Sequence, residues 1–160
     1  IFRYKLVMKK LEIVKGADNP ILRAVSRPVE RFDSELKTFV KAMKEAMVRA
    51  KGIGIAAPQV GRNDRVFLAV LEQGTPQEIT IPMVNPEIRS WSDEHDVAEE
   101  GCLSLPEVYG NVERAVAVTV AFQNLEGGRQ VMELSGLNAR VVQHELDHLN
   151  GVLFIDKLVE

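Results

Sequence analysis

The chain has 160 residues, 46% of them hydrophobic and 27% charged, with a formal net charge of -3. That length fills one core and is short for two ordinary domains, so residues 1–160 are expected to form a single domain; with no basic excess and no block of like charge, neither nucleic acid nor an anionic membrane is an expected partner. The single cysteine, Cys102, excludes an internal disulfide and suits a reducing compartment, and no apolar run approaches the length of a membrane span.

Ile1 to Val7 precede Met8 and lack the apolar core and cleavage pattern of a signal peptide, so they read as an expression remnant or an upstream extension without function. Asp33 or Ser34 can cap a helix in which Leu36, Phe39, Val40, Met43 and Met47 recur every three or four residues; its polar face is expected to be solvated. Gly52-Ile53-Gly54-Ile55-Ala56-Ala57 has the outward form of a Gly-x-Gly-x-x-Ala dinucleotide turn, with Glu72 at a suggestive distance. Such a turn follows a strand and opens a helix, whereas this one follows a helix and carries Pro58; a plain turn is the stronger structural rival.

Arg65 to Glu72 and Ile79 to Val84 read as strands separated by Gly74-Thr75-Pro76, and Ser90 to Val97 as an exposed polar loop bearing a surface histidine, His95. The run Glu99-Glu100-Gly101-Cys102-Leu103-Ser104-Leu105-Pro106 is expected to end at its proline. Ala115 to Asn124 alternates, with Val116, Val118, Val120 and Phe122 on one face, and turns at Glu126-Gly127-Gly128 into Arg129 to Leu134.

A last helix is expected from about Leu137 to Asn150, with Ser135 as N-cap, Gly151 in the left-handed position after its end, and Leu137, Val141, His144 and His148 on one stripe. Within it, His144-Glu145-Leu146-Asp147-His148 sets two imidazoles one turn apart on one face. Two neutral imidazoles in that geometry suit zinc or ferrous iron, and Glu145 can take a proton from water on the ion, which points to metal-assisted hydrolysis.

Such a site needs a third protein ligand. Downstream, the position that a longer zinc-protease pattern fills with histidine is Phe154, and Asp156 and Glu160 lie too close to the end to return on a second helix. Upstream, His95 and Cys102 remain. A lone cysteine is most often a small buried hydrophobe. Here Gly101 lets the backbone come close, and a thiolate would complete a His/His/Cys set with an open fourth position.

Three separated blocks, Gly52-Ile53-Gly54-Ile55-Ala56-Ala57-Pro58-Gln59, Glu100-Gly101-Cys102-Leu103-Ser104 and Gln143-His144-Glu145-Leu146-Asp147-His148, give the chain a resemblance to the peptide deformylases from about Leu11 to Leu158. The resemblance implies that Cys102, His144 and His148 hold one divalent metal ion, Fe2+ foremost, with Zn2+, Ni2+ or Co2+ as other occupants of such a donor set. It also implies that Glu145 is the general acid/base and that Gln59 and the backbone N–H of Leu103 form the oxyanion hole, two neutral donors suited to a tetrahedral oxyanion. The implied reaction removes the N-formyl group from N-terminal methionine of newly made polypeptides and releases formate. The implied setting is the bacterial cytoplasm or an organelle, with the ribosome as a further partner.

Gly54, Ile53, Ala98 and Val141 are the candidates for an apolar methionine pocket, with core packing as their alternative role, and Glu100 and Arg114 could pair to pin the cysteine loop, with a solvated surface pair as the alternative. The fold expected is α+β, with antiparallel β-sheets packed around a central His-Glu-x-x-His helix and an N-terminal amphipathic helix. A ribosome-docking role carried in relatives by a long C-terminal helix is not expected of the residues after Leu158. A zinc peptidase of the His-Glu-x-x-His type and a non-catalytic module with a structural metal are the competing readings. The first lacks a downstream ligand, and the second would want a fourth Cys or His.

Overall fold

The computed structural model describes residues 10–160; the reading of Ile1 to Val7 lies outside them. Pro20–Arg23 forms a single helical turn, α1, capped by the Asn19 side chain, which accepts from the Ile21 N–H. α2 spans Ser34–Arg49, and the Asp33 carboxylate caps it by accepting from the Leu36 N–H at 3.1 Å. Its apolar stripe, Leu36, Phe39, Val40, Met43 and Met47, is buried, and burial of each large side chain contributes roughly 1.5–3 kcal/mol.

Seven strands follow in two groups. β1 (Gly54–Ala56), β2 (Val66–Leu71), β3 (Ile79–Trp91), β6 (Ala117–Gln123) and β7 (Arg129–Ser135) form one antiparallel sheet in the order β1-β2-β3-β6-β7. β4 (His95–Cys102) and β5 (Leu105–Ala115) form a separate two-stranded antiparallel sheet. α3 covers Gly136–Leu149.

α2 packs its stripe on one face of β1 and β2 through Ile55, Val66 and Leu68. α3 lies on the other side of the large sheet, where Ala139, Val142 and Leu149 join Phe67, Met83, Val120 and Phe122. A third cluster of Leu22, Leu105, Val112, Leu153 and Phe154 seats the small sheet. Gly151, at φ +72°, ends α3; a Cβ there would collide with the carbonyl of Arg23, so glycine is needed both for its backbone angle and for the approach of α1. Among the described residues no helix is long and apolar enough to cross a membrane.

Three expectations are corrected. Ser90 to Val97 is not one loop: Ser90 and Trp91 pair with Thr119 and Val118, and His95 and Val97 pair with Ala115 and Glu113. Ladder hydrogen bonds, to β6 at one end and to β5 at the other, override the polar composition of that stretch. Pro106 does not end its segment but is the second residue of β5, a strand start where a missing N–H costs little. Leu137 is half exposed rather than part of a buried stripe, because it occupies the first turn of α3 at the rim of a cleft.

Candidate active site

The two-residue connection between β4 and β5, Leu103 and Ser104, leaves Cys102 at the end of β4 facing α3. The four-residue step along α3 stacks the two imidazoles edge to face, with ring centroids 5.0 Å apart. Ligand atoms of Cys102, His144 and His148 all lie within 4.8 Å of one another, and Cys102 Sγ is 3.3 Å from His148 Nε2. The three come from positions 102, 144 and 148 and meet only in the fold.

Two of the donors are held by neighbours, His144 by Glu100 and Cys102 by the Gln59 amide. Glu100 is buried and accepts at 2.7 Å from Nδ1–H of His144, which turns that ring's other nitrogen toward the cluster. Arg114 donates Nε–H and Nη2–H to both oxygens of Glu100 at 2.9 Å each, and Nη1–H to Asp147 at 2.6 Å. The Glu100–Arg114 pair is therefore a buried fork, not a solvated surface contact, with the two side chains 5% and 3% exposed. Burial pushes the Glu100 carboxyl up, but Arg114 and His144 outweigh it and hold the group far below the usual carboxylate range.

Burial pushes His144 down, yet hydrogen bonding to Cys102 and Glu100 outweighs it and raises the group to about 10. Burial drives His148 well below the ordinary imidazole value, leaving it a neutral donor. Glu145, buried at the side of the cluster, is raised by that burial to about 7.

The donor set fits a divalent ion: one soft sulfur and two imidazoles, with His148 neutral by burial and His144 backed by a carboxylate. Glu145 Oε2 is buried without a hydrogen-bond partner among the described residues, as is His148 Nδ1. A lone carboxylate oxygen beside a metal-ligating cluster is free to accept a proton from an incoming group.

Gln59 sits in the short helical turn Ala57–Val60 that follows β1. Its carbonyl accepts from the Ala56 N–H at 2.9 Å, and this turns the amide nitrogen toward Cys102 Sγ at 3.4 Å and Ser104 Oγ at 3.3 Å. The Gly52 block is thus a strand and turn that deliver an amide donor to the cluster. Gly54 has a stricter role: a Cβ there would lie 2.8 Å from Glu145 Cδ and overlap its Oε1. Gly54→Ala is expected to push the carboxylate aside and lower kcat by roughly 10–10²-fold, since displacement on the order of 1 Å costs that much. Steady-state kinetics with the purified variant checks this, and unchanged kcat would contradict it.

A cleft of about 540 Å³ opens beside the cluster. Gly52, Ile53 and Gly54 line one side, Cys102 and Leu103 the back, and Leu137, Val141, His144 and Glu145 the helix side. Ala98 is not in its wall. It shares a strand face with Asp96 and Glu100, whose side chains are both bound by Arg140, so that arginine spans the space in front of it. Arg140 is the residue that sequence reasoning missed. Its signal was a charged side chain one turn before His144 on the face of the helix that carries the ligands.

Residues 10–160 match the family model described as polypeptide deformylase. A peptide deformylase of Thermotoga neapolitana is 45% identical over 145 residues, covering 91% of this chain and 85% of its own length. The crystal structure of peptide deformylase from Thermotoga maritima superposes with a TM-score of 0.88 at 42% identity, covering 95% of this chain and 99% of that one. A Met-Ala-Ser-bound class I type b peptide deformylase from Acinetobacter baumannii superposes with a TM-score of 0.87 at 38% identity, covering 92% and 98%.

Proposed function

The chain belongs to the polypeptide deformylase family, and on that premise we propose how its residues divide the work. As a member it is an enzyme, a hydrolase that removes the N-formyl group from nascent polypeptides. The observation that carries the residue assignment is the convergence of Cys102, His144 and His148 beside a buried, unpartnered Glu145 oxygen.

In this reading Cys102, His144 and His148 hold one divalent ion, and ferrous iron is the working one. The ion supplies Lewis acidity, making water acidic near neutral pH and polarising a carbonyl. Glu145 takes the proton of the attacking water and returns it to the departing amine; burial, which raises its carboxyl to about 7, suits it to both directions. Gln59 Nε2 and the Leu103 N–H donate to the oxyanion as the formyl carbon becomes tetrahedral. Glu100, itself fixed by Arg114, holds the His144 ring.

The cleft beside the cluster takes the methionine side chain, with Ile53, Gly54 and Val141 in its wall. The peptide bound in the Acinetobacter relative begins with methionine, which supports that use. We take the chain as one catalytic domain working on formylated nascent chains near the ribosome, in a bacterial cytoplasm or an organelle.

Removal and replacement of the ion tests the assignment. Chelation should abolish turnover, and stoichiometric Fe2+ or Ni2+ should restore it. The iron form should then lose activity in air while the nickel form persists, because oxidation of a ferrous thiolate destroys both ion and ligand. Equal air stability of the two forms would contradict iron as the working ion.

A further inference from the structure

The two walls of the cleft belong to different parts of the fold. Glu99–Cys102 and the segment after it come from the β4–β5 sheet, which shares no backbone ladder with the five-stranded sheet or with α3. Its backbone joins the large sheet only at the end far from Cys102, through residues 92–94 and Val116, so beside the cleft the separation of that wall from the helix is set by side chains. Among the described residues, five contacts bridge the gap: Arg114 to Asp147, Gln143 to the N–H and carbonyl of Ala115, His144 to Glu100, His148 to Cys102, and Arg140 to both strands. Of the helix side chains that make them, His144 and Arg140 line the cleft, and Arg140 alone of these two lies outside the proposed metal-binding cluster.

Its guanidinium engages both strands at once. Nη1–H donates to Glu100 Oε2 at 2.7 Å and to the Val112 carbonyl at 2.9 Å, on β4 and β5 respectively. Nη2–H donates to Asp96 Oδ1 at 2.6 Å and to the Asp96 carbonyl at 3.1 Å. The Arg140 side chain is 10% exposed, so these bonds are sheltered from solvent, whereas that of Asp96 is 58% exposed. A planar fork with four acceptors fixes direction as well as distance, which the single point charge of a lysine does not.

We propose that Arg140 is a positioning residue that sets the width of the methionine cleft by clamping the β4–β5 wall onto α3, with Asp96 as its strand-side anchor. The proposal rests on the reading of this cleft as the substrate site. Its signature is loss of binding and of side-chain selectivity, separate from the chemistry at Glu145. Glu100 retains the two-pronged Arg114 and His144 when Arg140 changes, so the ion site keeps its support.

The test compares wild type with Arg140→Lys, Asp96→Ala and the double variant. It reads KM and kcat on formyl-Met-Ala-Ser, the kcat/KM ratio for formyl-Met over formyl-Phe peptides, metal content, and the Kd of unformylated Met-Ala-Ser. Arg140→Lys is expected to raise KM and Kd on the order of tenfold and to lower the selectivity ratio, with metal content near one and kcat changed far less. Asp96→Ala, on an exposed side chain whose loss strands no buried charge, should move the same quantities less. The double variant should resemble Arg140→Lys alone, the mark of two groups acting through one contact. Unchanged Kd and selectivity in both single variants would overturn the clamp, as would a loss confined to kcat or metal content. Failure of wild type to turn over the formyl peptide would instead overturn the substrate reading, while the Kd of Met-Ala-Ser still decides the clamp.

Discussion

Glu145→Gln is expected to keep the ion and lose the reaction. The amide is nearly isosteric, so α3, its two imidazoles and Cys102 remain in place. The position is already tight: Gly54 leaves room for the carboxylate group but not for a methyl group beside it. Burying a neutral amide there is no harder than burying a carboxyl whose charged form burial already disfavours. What disappears is the proton shuttle, because an amide neither accepts the water's proton nor delivers one to the amine. Positioned acid–base groups contribute about 10²–10⁴-fold, and kcat is expected to fall by at least that much. Metal analysis and single-turnover kinetics on one preparation check it; near-normal turnover by a metal-loaded variant would remove Glu145 from the mechanism.

Cys102→Ser is expected to have a comparably large effect by another route. A hydroxyl stays protonated near neutral pH, so the substitution removes an anionic, soft ligand while leaving a group able to meet the Gln59 amide, now 3.4 Å from the sulfur. Loss of an outer partner costs roughly 10–100-fold in metal affinity, and loss of a direct ligand should exceed it. Metal affinity and deformylation should fall together, with the melting temperature of the metal-free protein little changed. Stoichiometric binding at unchanged affinity would reduce Cys102 to a packing residue.

The parts of the fold that could be read from sequence are those where burial follows a short period. α2 announces itself because Leu36 to Met47 keep an apolar stripe under a capping Asp33, and α3 because Ser135, Gly151 and the two histidines agree on one helix. β6 was readable from Val118, Val120 and Phe122, all buried on one face. β4 and β5 were not. Their inward residues include Glu100 and Arg114, which are buried because they satisfy each other, so the strands carry charge where an alternating pattern would show apolar side chains. The polar stretch from Ser90 to Val97 became the ends of two strands for the same reason: its pairing partners lie some 16 to 29 residues away in sequence.

In the site, the step between His144 and His148 was legible locally because helix geometry alone brings them together. The joining of Cys102 and Gln59 to that pair spans 46 and 43 residues in the contacts that hold them, and no local rule reaches so far; there the family resemblance supplied the placement. Arg140 escaped notice because a charged residue on an amphipathic helix reads as solvent-facing until β4 brings it Glu100 and Asp96 and β5 the Val112 carbonyl. Ala98 was misplaced for a related reason: it shares the strand face of Glu100, but Arg140 from α3 spans the space in front of it, which proximity to motif residues in sequence does not reveal.

The central claim is that this cleft and its Cys/His/His cluster release formate from formylated methionyl peptides, and the most direct measurement is formate production by the iron enzyme, prepared without air, on N-formyl-Met-Ala-Ser beside N-acetyl-Met-Ala-Ser. Formate should appear stoichiometrically with free amino termini from the first peptide, and the second should be left intact. Cleavage of the acetylated peptide at a similar rate, or hydrolysis of an internal peptide bond in either one without formate, would contradict the account.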